Sequence, residues 1–202
     1  MKQCLESKKK LHYYNCEEHA SIYKFCTELY YLVSNKLSKK DSLVLLCIGS
    51  DRATGDCLGP IVGYKLEKLN NKRIAIYGTL AHPVHAKNLE ETLITIRRCH
   101  KHPFIIAIDA SLGNEKHVGY VTLGEGSLNP GIGVDKDLPP VGDIFITGIV
   151  NLSGYLNHML LQTTRLDIVM QLADYICIGL RYILTHMEED QTSLSTSNRK
   201  YN

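Results

Sequence analysis

Apolar residues fall in short unbroken runs separated by polar stretches that carry helical spacing. Residues 43–48 (Leu-Val-Leu-Leu-Cys-Ile) are an uninterrupted apolar run of strand length ended by Gly49 and Ser50. A run of that kind suits a central strand buried on both faces. Residues 73–77 and 104–108 predict two more strands, the latter introduced by Pro103 and followed at once by the charged Asp109. Two further strands are expected at 119–123 and 144–149. Between them lie amphipathic stretches. Ile22, Cys26, Leu29, Tyr30 and Val33, with Phe25 beside them, predict a helix over 17–36. A helix over 58–69 tolerates Pro60 in its first turn. Asn88 followed by Glu91 resembles a capping box opening a helix that runs to Cys99. A closing helix over 164–185 carries Leu166, Val169, Met170, Ala173, Ile176, Cys177, Leu180 and Leu184 on one face.

Strands alternating with helices imply a three-layer α/β/α domain with a mostly parallel central sheet, because crossovers between parallel neighbours lay helices on both faces. The expected organisation is a polar segment over 1–16, one α/β domain over 17–187, and a polar, Ser/Thr-rich tail over 188–202 that should be disordered. Residues 124–142 form a glycine- and proline-rich connection, long for a compact domain and therefore read as a lid or binding loop.

Composition narrows the partners. Lys and Arg number 23 against 21 Asp and Glu, a formal net charge of +2, which is too balanced for a nucleic-acid footprint. Seven cysteines without paired spacing suit reduced thiols in the cytoplasm. Lys8, Lys9 and Lys10 are followed by no apolar run, so neither a signal peptide nor a membrane partner is expected. The oligomeric state is left open, a homo-oligomer included.

Candidate chemistry gathers after the first and third central strands. The loop 49–60 holds Asp51, Asp56 and three glycines before a helix, but lacks the ending of a phosphate loop and the spacing of a dinucleotide fingerprint. The first and third strands of a doubly wound sheet are commonly neighbours, so Asp56 and Asp109 are expected to meet at the C-terminal edge, where such folds bind ligands. Two carboxylates ~4 Å apart repel by ~4 kcal/mol at an effective dielectric of ~20, which is roughly three pKa units. Such a pair shares a proton, recruits a cation or stays apart; the first two are routes to acid/base or metal-assisted hydrolysis. A plainer reading stays open for each acid, Asp56 balancing a helix macrodipole and Asp109 capping a turn. Asp51 and Arg52 form either a positioning ion pair or a solvated one. His82 and His85 follow the second strand at the same edge and are candidate proton carriers or ligands. His100, His102, His117, His158 and His186 share no ligand spacing. Cys57 adjoins Asp56 but has no assignable base.

Residues 47–63, reading CIGSDRATGDCLGPIVG, and 105–113, reading IIAIDASLG, resemble the YyaC family of sporulation proteins, relatives of the spore germination protease and of hydrogenase maturation endopeptidases. The likeness takes in the loop 129–134 and the strand 145–149, roughly residues 40–185 in all. It implies the fold of those proteases and a peptidase in which Asp56 and Asp109 cleave an amide of a protein or peptide substrate, small acid-soluble spore proteins among the candidates, inside a sporulating cell. Asp51, Arg52, His82, His85 and Gly131 become substrate-binding or supporting residues. In the hydrogenase enzymes the matching acids and a later-loop histidine hold nickel, whereas this chain has Asn129-Pro130-Gly131 there, so no cofactor is expected. Two alternatives remain: a non-catalytic relative that binds a peptide or regulates another enzyme, and a metal-dependent hydrolase with His82 or His85 supplying the missing ligand.

Overall fold

The structure, a computed structural model, describes residues 11–38, 41–68, 74–130, 138–154 and 156–197. Among these, one six-stranded sheet runs in the order β1-β5-β6-β4-β2-β3, with β1 at Leu11–Asn15, β2 at Ser42–Cys47, β3 at Ile74–Tyr77, β4 at Pro103–Gly113, β5 at Tyr120–Glu125 and β6 at Ile144–Leu152. β3, β2, β4 and β6 are mutually parallel, while β5 is antiparallel to both β6 and β1. The expected α/β architecture with a mostly parallel sheet is the one observed.

The run at 43–48 is apolar throughout because successive side chains enter different cores. Leu43, Leu45 and Cys47 join α1 (His19–Lys36), α2 (Leu58–Glu67) and α5 (Leu166–Ser197) on one face, with Phe25, Leu29, Val62, Val169, Leu172 and Ile176. Val44, Leu46 and Ile48 join α3 (Leu89–Cys99) on the other, with Leu89, Leu93 and Ile96. Residues 166–187 of α5 have the length and mean hydropathy, 1.4, of a membrane span. Here their apolar stripe lies buried between α1, α2 and the sheet.

Several expectations need correction. The sheet starts inside the segment expected to be merely polar: Leu11–Asn15 pairs with β5, from Leu11 opposite Gly124 to Asn15 opposite Tyr120. Tyr14, buried, packs on Phe25, and its hydroxyl donates to Glu28 Oε2 at 2.6 Å. The helix expected to stop at 185 continues to Ser197, so the tail is helical over most of 188–202. Asn88 stands at the N-cap position of α3, but its side chain makes no capping bond. Its Oδ1 accepts from His85 N at 2.8 Å and its Nδ2 donates to Pro83 O at 3.0 Å, so the side chain closes the preceding turn instead. The connection 124–142 is partly ordered by an antiparallel bridge between Leu128 and Val141; its residues 131–137, with Gly131 and much of the expected lid, lie outside the described residues.

β2 and β4 are neighbours, in register from Ser42 opposite Pro103 to Cys47 opposite Ile108. The helix after β2 covers one face and the helix after β3 the other, so the chain changes direction between β2 and β4. That is the switch point at whose carboxyl edge open α/β sheets form a crevice.

Candidate active site

β2 ends at Cys47 but β4 continues to Gly113, so Asp109 stands within β4 rather than ending it. Beyond Ile108 the strand pairs with β6 alone, Asp109 opposite Thr147, and the flank toward β2 is open for a site. Asp109 is buried, and its Oδ1 accepts from Ala110 N at 2.8 Å. Behind it Ser111 Oγ donates to Thr147 Oγ1 at 3.1 Å, and Thr147 shares a 2.7 Å bond with Thr122. This polar ladder ties β4 to β6 and β5, and sequence reasoning missed it.

On the β2 side the chain turns sharply. Gly49 has φ +141°, and a Cβ there would collide with the carbonyl of Asp56, so only glycine fits this approach. Gly49 N donates to Val84 O at 2.8 Å, Ser50 N to Asp56 O at 3.1 Å and Asp56 N to Ala53 O at 3.0 Å. These bonds close the loop and set Asp56 in a short 3-10 turn, Gly55–Cys57, directly before α2. The turn is held from outside by α4 (Asn157–Gln162): a Cβ on Gly55 would meet Leu161 Cδ2 and Thr164 Oγ1, each at 2.9 Å.

Asp56 and Asp109 both line one cavity of about 440 Å³. Ile48, Ala53, Leu112, Leu138 and Leu161 supply apolar wall, and Ser111, Arg52, His85, Lys87 and His158 supply polar groups. The Asp56 carboxyl is raised above its ordinary value, first by burial; the Ser50 backbone and the His85 and His158 rings oppose that shift by favouring the charged form. Burial also pushes the Cys57 thiol up, as do the Asp56 and Asp51 carboxylates, and its Sγ is turned to Ala53 O at 3.3 Å. Such a thiol is kept neutral and is a poor nucleophile.

Of the other predicted residues, Arg52 and His85 line the cavity, whereas Asp51 and His82 do not. Asp51 is exposed and, among the described residues, forms no ion pair with Arg52. His82 lies in a neighbouring depression with Glu67, Tyr77 and Thr92; its N–H donates to Thr79 Oγ1 at 3.2 Å. His158 shares no ligand spacing with the other histidines in the sequence, yet from α4 it lines the same cavity as Asp56 and its charge acts on that carboxyl. The available signal was topological: β6 is parallel to β4, so whatever follows it arrives at the same edge. Among the described residues no three His, Cys, Asp or Glu side chains are grouped so as to hold a metal ion.

The family described as "Protein of unknown function (DUF1256)" matches residues 13–179. The chain belongs to that family. An uncharacterized protein of Bacillus subtilis, YyaC, is 51% identical over 138 residues, 68% of this chain and 67% of that protein. Among solved structures, the NiFe hydrogenase maturation protease HycI from Thermococcus kodakarensis superposes with a TM-score of 0.52 at 15% identity. The match covers 78% of this chain and 99% of that one. At that identity the likeness establishes a shared fold. This member of the DUF1256 family therefore has the fold of a maturation protease.

Proposed function

We propose that this chain is a peptidase that hydrolyses an amide bond of a protein substrate in the cytoplasm of a sporulating cell, with Asp56 and Asp109 as its acid and base. The observation that carries the reading is that the two acids line one cavity at the sheet's switch point. The protease fold supports it, and so does the resemblance of the two motifs to the YyaC family, relatives of the germination protease. Free cysteines at Cys16, Cys26, Cys47, Cys57, Cys99 and Cys177 are in keeping with a reducing compartment.

Burial raises the Asp56 carboxyl and Asp109 is itself buried, so the pair is suited to share one proton, which we assign to Asp56. Asp109 accepts the proton of a water as its oxygen attacks the scissile carbonyl carbon. Asp56 then gives its proton to the amide nitrogen as the C–N bond breaks, which leaves an acid and an amine and reverses the protonation of the pair.

The test is turnover on protein extracted from spores, which contains small acid-soluble spore proteins. Defined fragments should appear with the unaltered chain. Asp56→Asn and Asp109→Asn should each lower the rate about 100-fold or more, with the urea unfolding transition still cooperative. A chelator should leave the rate unchanged. Full cleavage by Asp109→Asn would remove the proposal.

A further inference from the structure

Among the described cysteines Cys99 alone is exposed. Burial pushes the other five thiols up, Cys16 to about 12 and Cys177 to about 11, which makes them poor nucleophiles because the thiolate is the reactive form. Cys99 has two partners. It ends α3, and His100 caps that helix with its N–H bonded to Ile96 O at 2.9 Å. The Tyr77 hydroxyl, from the end of β3, meets His100 Nε2 at 3.0 Å, the two rings edge to face with centroids 5.9 Å apart. The Cys99 sulfur bonds the same hydroxyl, which is raised by burial first and then by the charge of Cys99 and this hydrogen bond. None of the three lines the cavity of Asp56 and Asp109, so the chemistry proposed there leaves this group unused.

A hydroxyl between a thiol and an imidazole is a path for a proton. At rest the Cys99 S–H donates to Tyr77 Oη, and the Tyr77 O–H donates to His100 Nε2. When Tyr77 passes its proton to Nε2 and takes the one on sulfur, the thiolate accepts from Tyr77, and Tyr77 accepts from the imidazolium. A thiolate is the form that attacks a disulfide. Arg97 and Arg98, in the last turn of α3, and Lys101 beyond it are exposed and, among the described residues, have no carboxylate partner. Their charge draws an anionic reactant. We infer that Cys99 is a modification site that takes up an anionic low-molecular-weight thiol from its disulfide, with Tyr77 and His100 carrying the proton away. The Cys99 sulfur attacks one sulfur of R–S–S–R, and a new S–S bond forms as the old one breaks. The second sulfur leaves with the bonding electrons and takes up the proton that His100 releases, so Cys99 is oxidised to a mixed disulfide and one R–SH is set free.

The test follows the mass of each cysteine-bearing peptide over time after the reduced full chain meets oxidised glutathione, which is anionic, or cystamine, which is cationic. Cys99 should be modified ahead of Cys16, Cys26, Cys47, Cys57 and Cys177. It should also react several-fold faster than the same cysteine in an isolated peptide of residues 94–104, which keeps Arg97, Arg98, His100 and Lys101 but lacks Tyr77. Oxidised glutathione should outpace cystamine by roughly fivefold, the upper range for one exposed ion pair, and the gap should close in concentrated salt. Tyr77→Phe should bring the rate down to that of the peptide. His100→Gln should do the same and remove a step from the profile of rate against pH, a readout that loosened packing would not move. Both variants should keep a cooperative urea transition, and Cys99→Ser should take up nothing at that position. A rate equal to that of the peptide, a rate unmoved by Tyr77→Phe, or a preference for cystamine would overturn the inference. None of these outcomes depends on whether the chain cuts a peptide.

Discussion

Asp56 and Gly59 lie one helical turn apart and are constrained by different forces. Gly59 opens α2 so close to β2 that a Cβ would strike the carbonyl of Ile48 and come within 2.7 Å of its nitrogen. Gly59→Ala should push α2 off the sheet at a cost of about 1–3 kcal/mol, read as a lower urea midpoint at unchanged slope. Asp56 is constrained by charge. Because burial raises its folded-state value above the ordinary 3.8, the folded protein binds the extra proton between those two values. Stability therefore falls as pH rises through that window. Asp56→Asn should accordingly raise the urea midpoint at pH 7, with the gain shrinking as pH drops toward and below the ordinary carboxylate value. A gain independent of pH would assign the effect to packing instead. Both aspartates were legible beforehand because each follows an apolar run that announces its strand. Ser111, Thr147 and Thr122 were not, since a polar residue within a strand gives no sign of which partner it will meet across the sheet.

At the scale of elements, the strands inside the sheet announced themselves and its edge did not. In β1 only Tyr14 is buried, while Leu11 and Tyr13 are exposed, so the alternation that identifies a half-buried strand is missing. What holds β1 is specific bonding rather than apolar pattern: Tyr14 to Glu28, and His12 Nδ1 to Glu28 Oε1 at 2.8 Å. The Tyr14 hydroxyl is raised, by burial first and then by Glu28, so it remains a donor. Tyr14→Phe should cost about 1 kcal/mol, a modest value for a bond to a carboxylate that is partly solvated. Faster amide exchange at Val121 and Leu123, relative to β4, would place the loss at this edge. The far end of α5 misled in the other direction. Its polar, Ser/Thr-rich composition predicted disorder, but a helix already nucleated on the core can continue through residues that would not start one.

At the scale of the molecule, the cavity is assembled from five stretches distant in sequence: 48–56, 85–87, 109–112, Leu138 and 158–162. The last depends on a bracket at the end of β6. Asn151 Nδ2 donates to Leu160 O at 2.9 Å and to Thr164 Oγ1 at 3.2 Å, which anchors α4 against the turn bearing Asp56. Asn151→Ala should cost about 1 kcal/mol of stability and, by loosening His158 and Leu161, lower kcat/KM several-fold with both aspartates intact. Unchanged turnover at reduced stability would show that α4 is not needed in place. The amino-acid sequence by itself determined the strands of the central sheet, the helices that flank it and the edge at which Asp56 and Asp109 emerge. Burial on two faces leaves no choice but apolar runs, and the charged residues that follow each run mark the edge. Only the tertiary structure decided that His158 and Lys87 line the cavity and that His82 does not. α4 buries no residue and so leaves no periodic trace in the chain, and proximity between loops follows from packing that no spacing encodes.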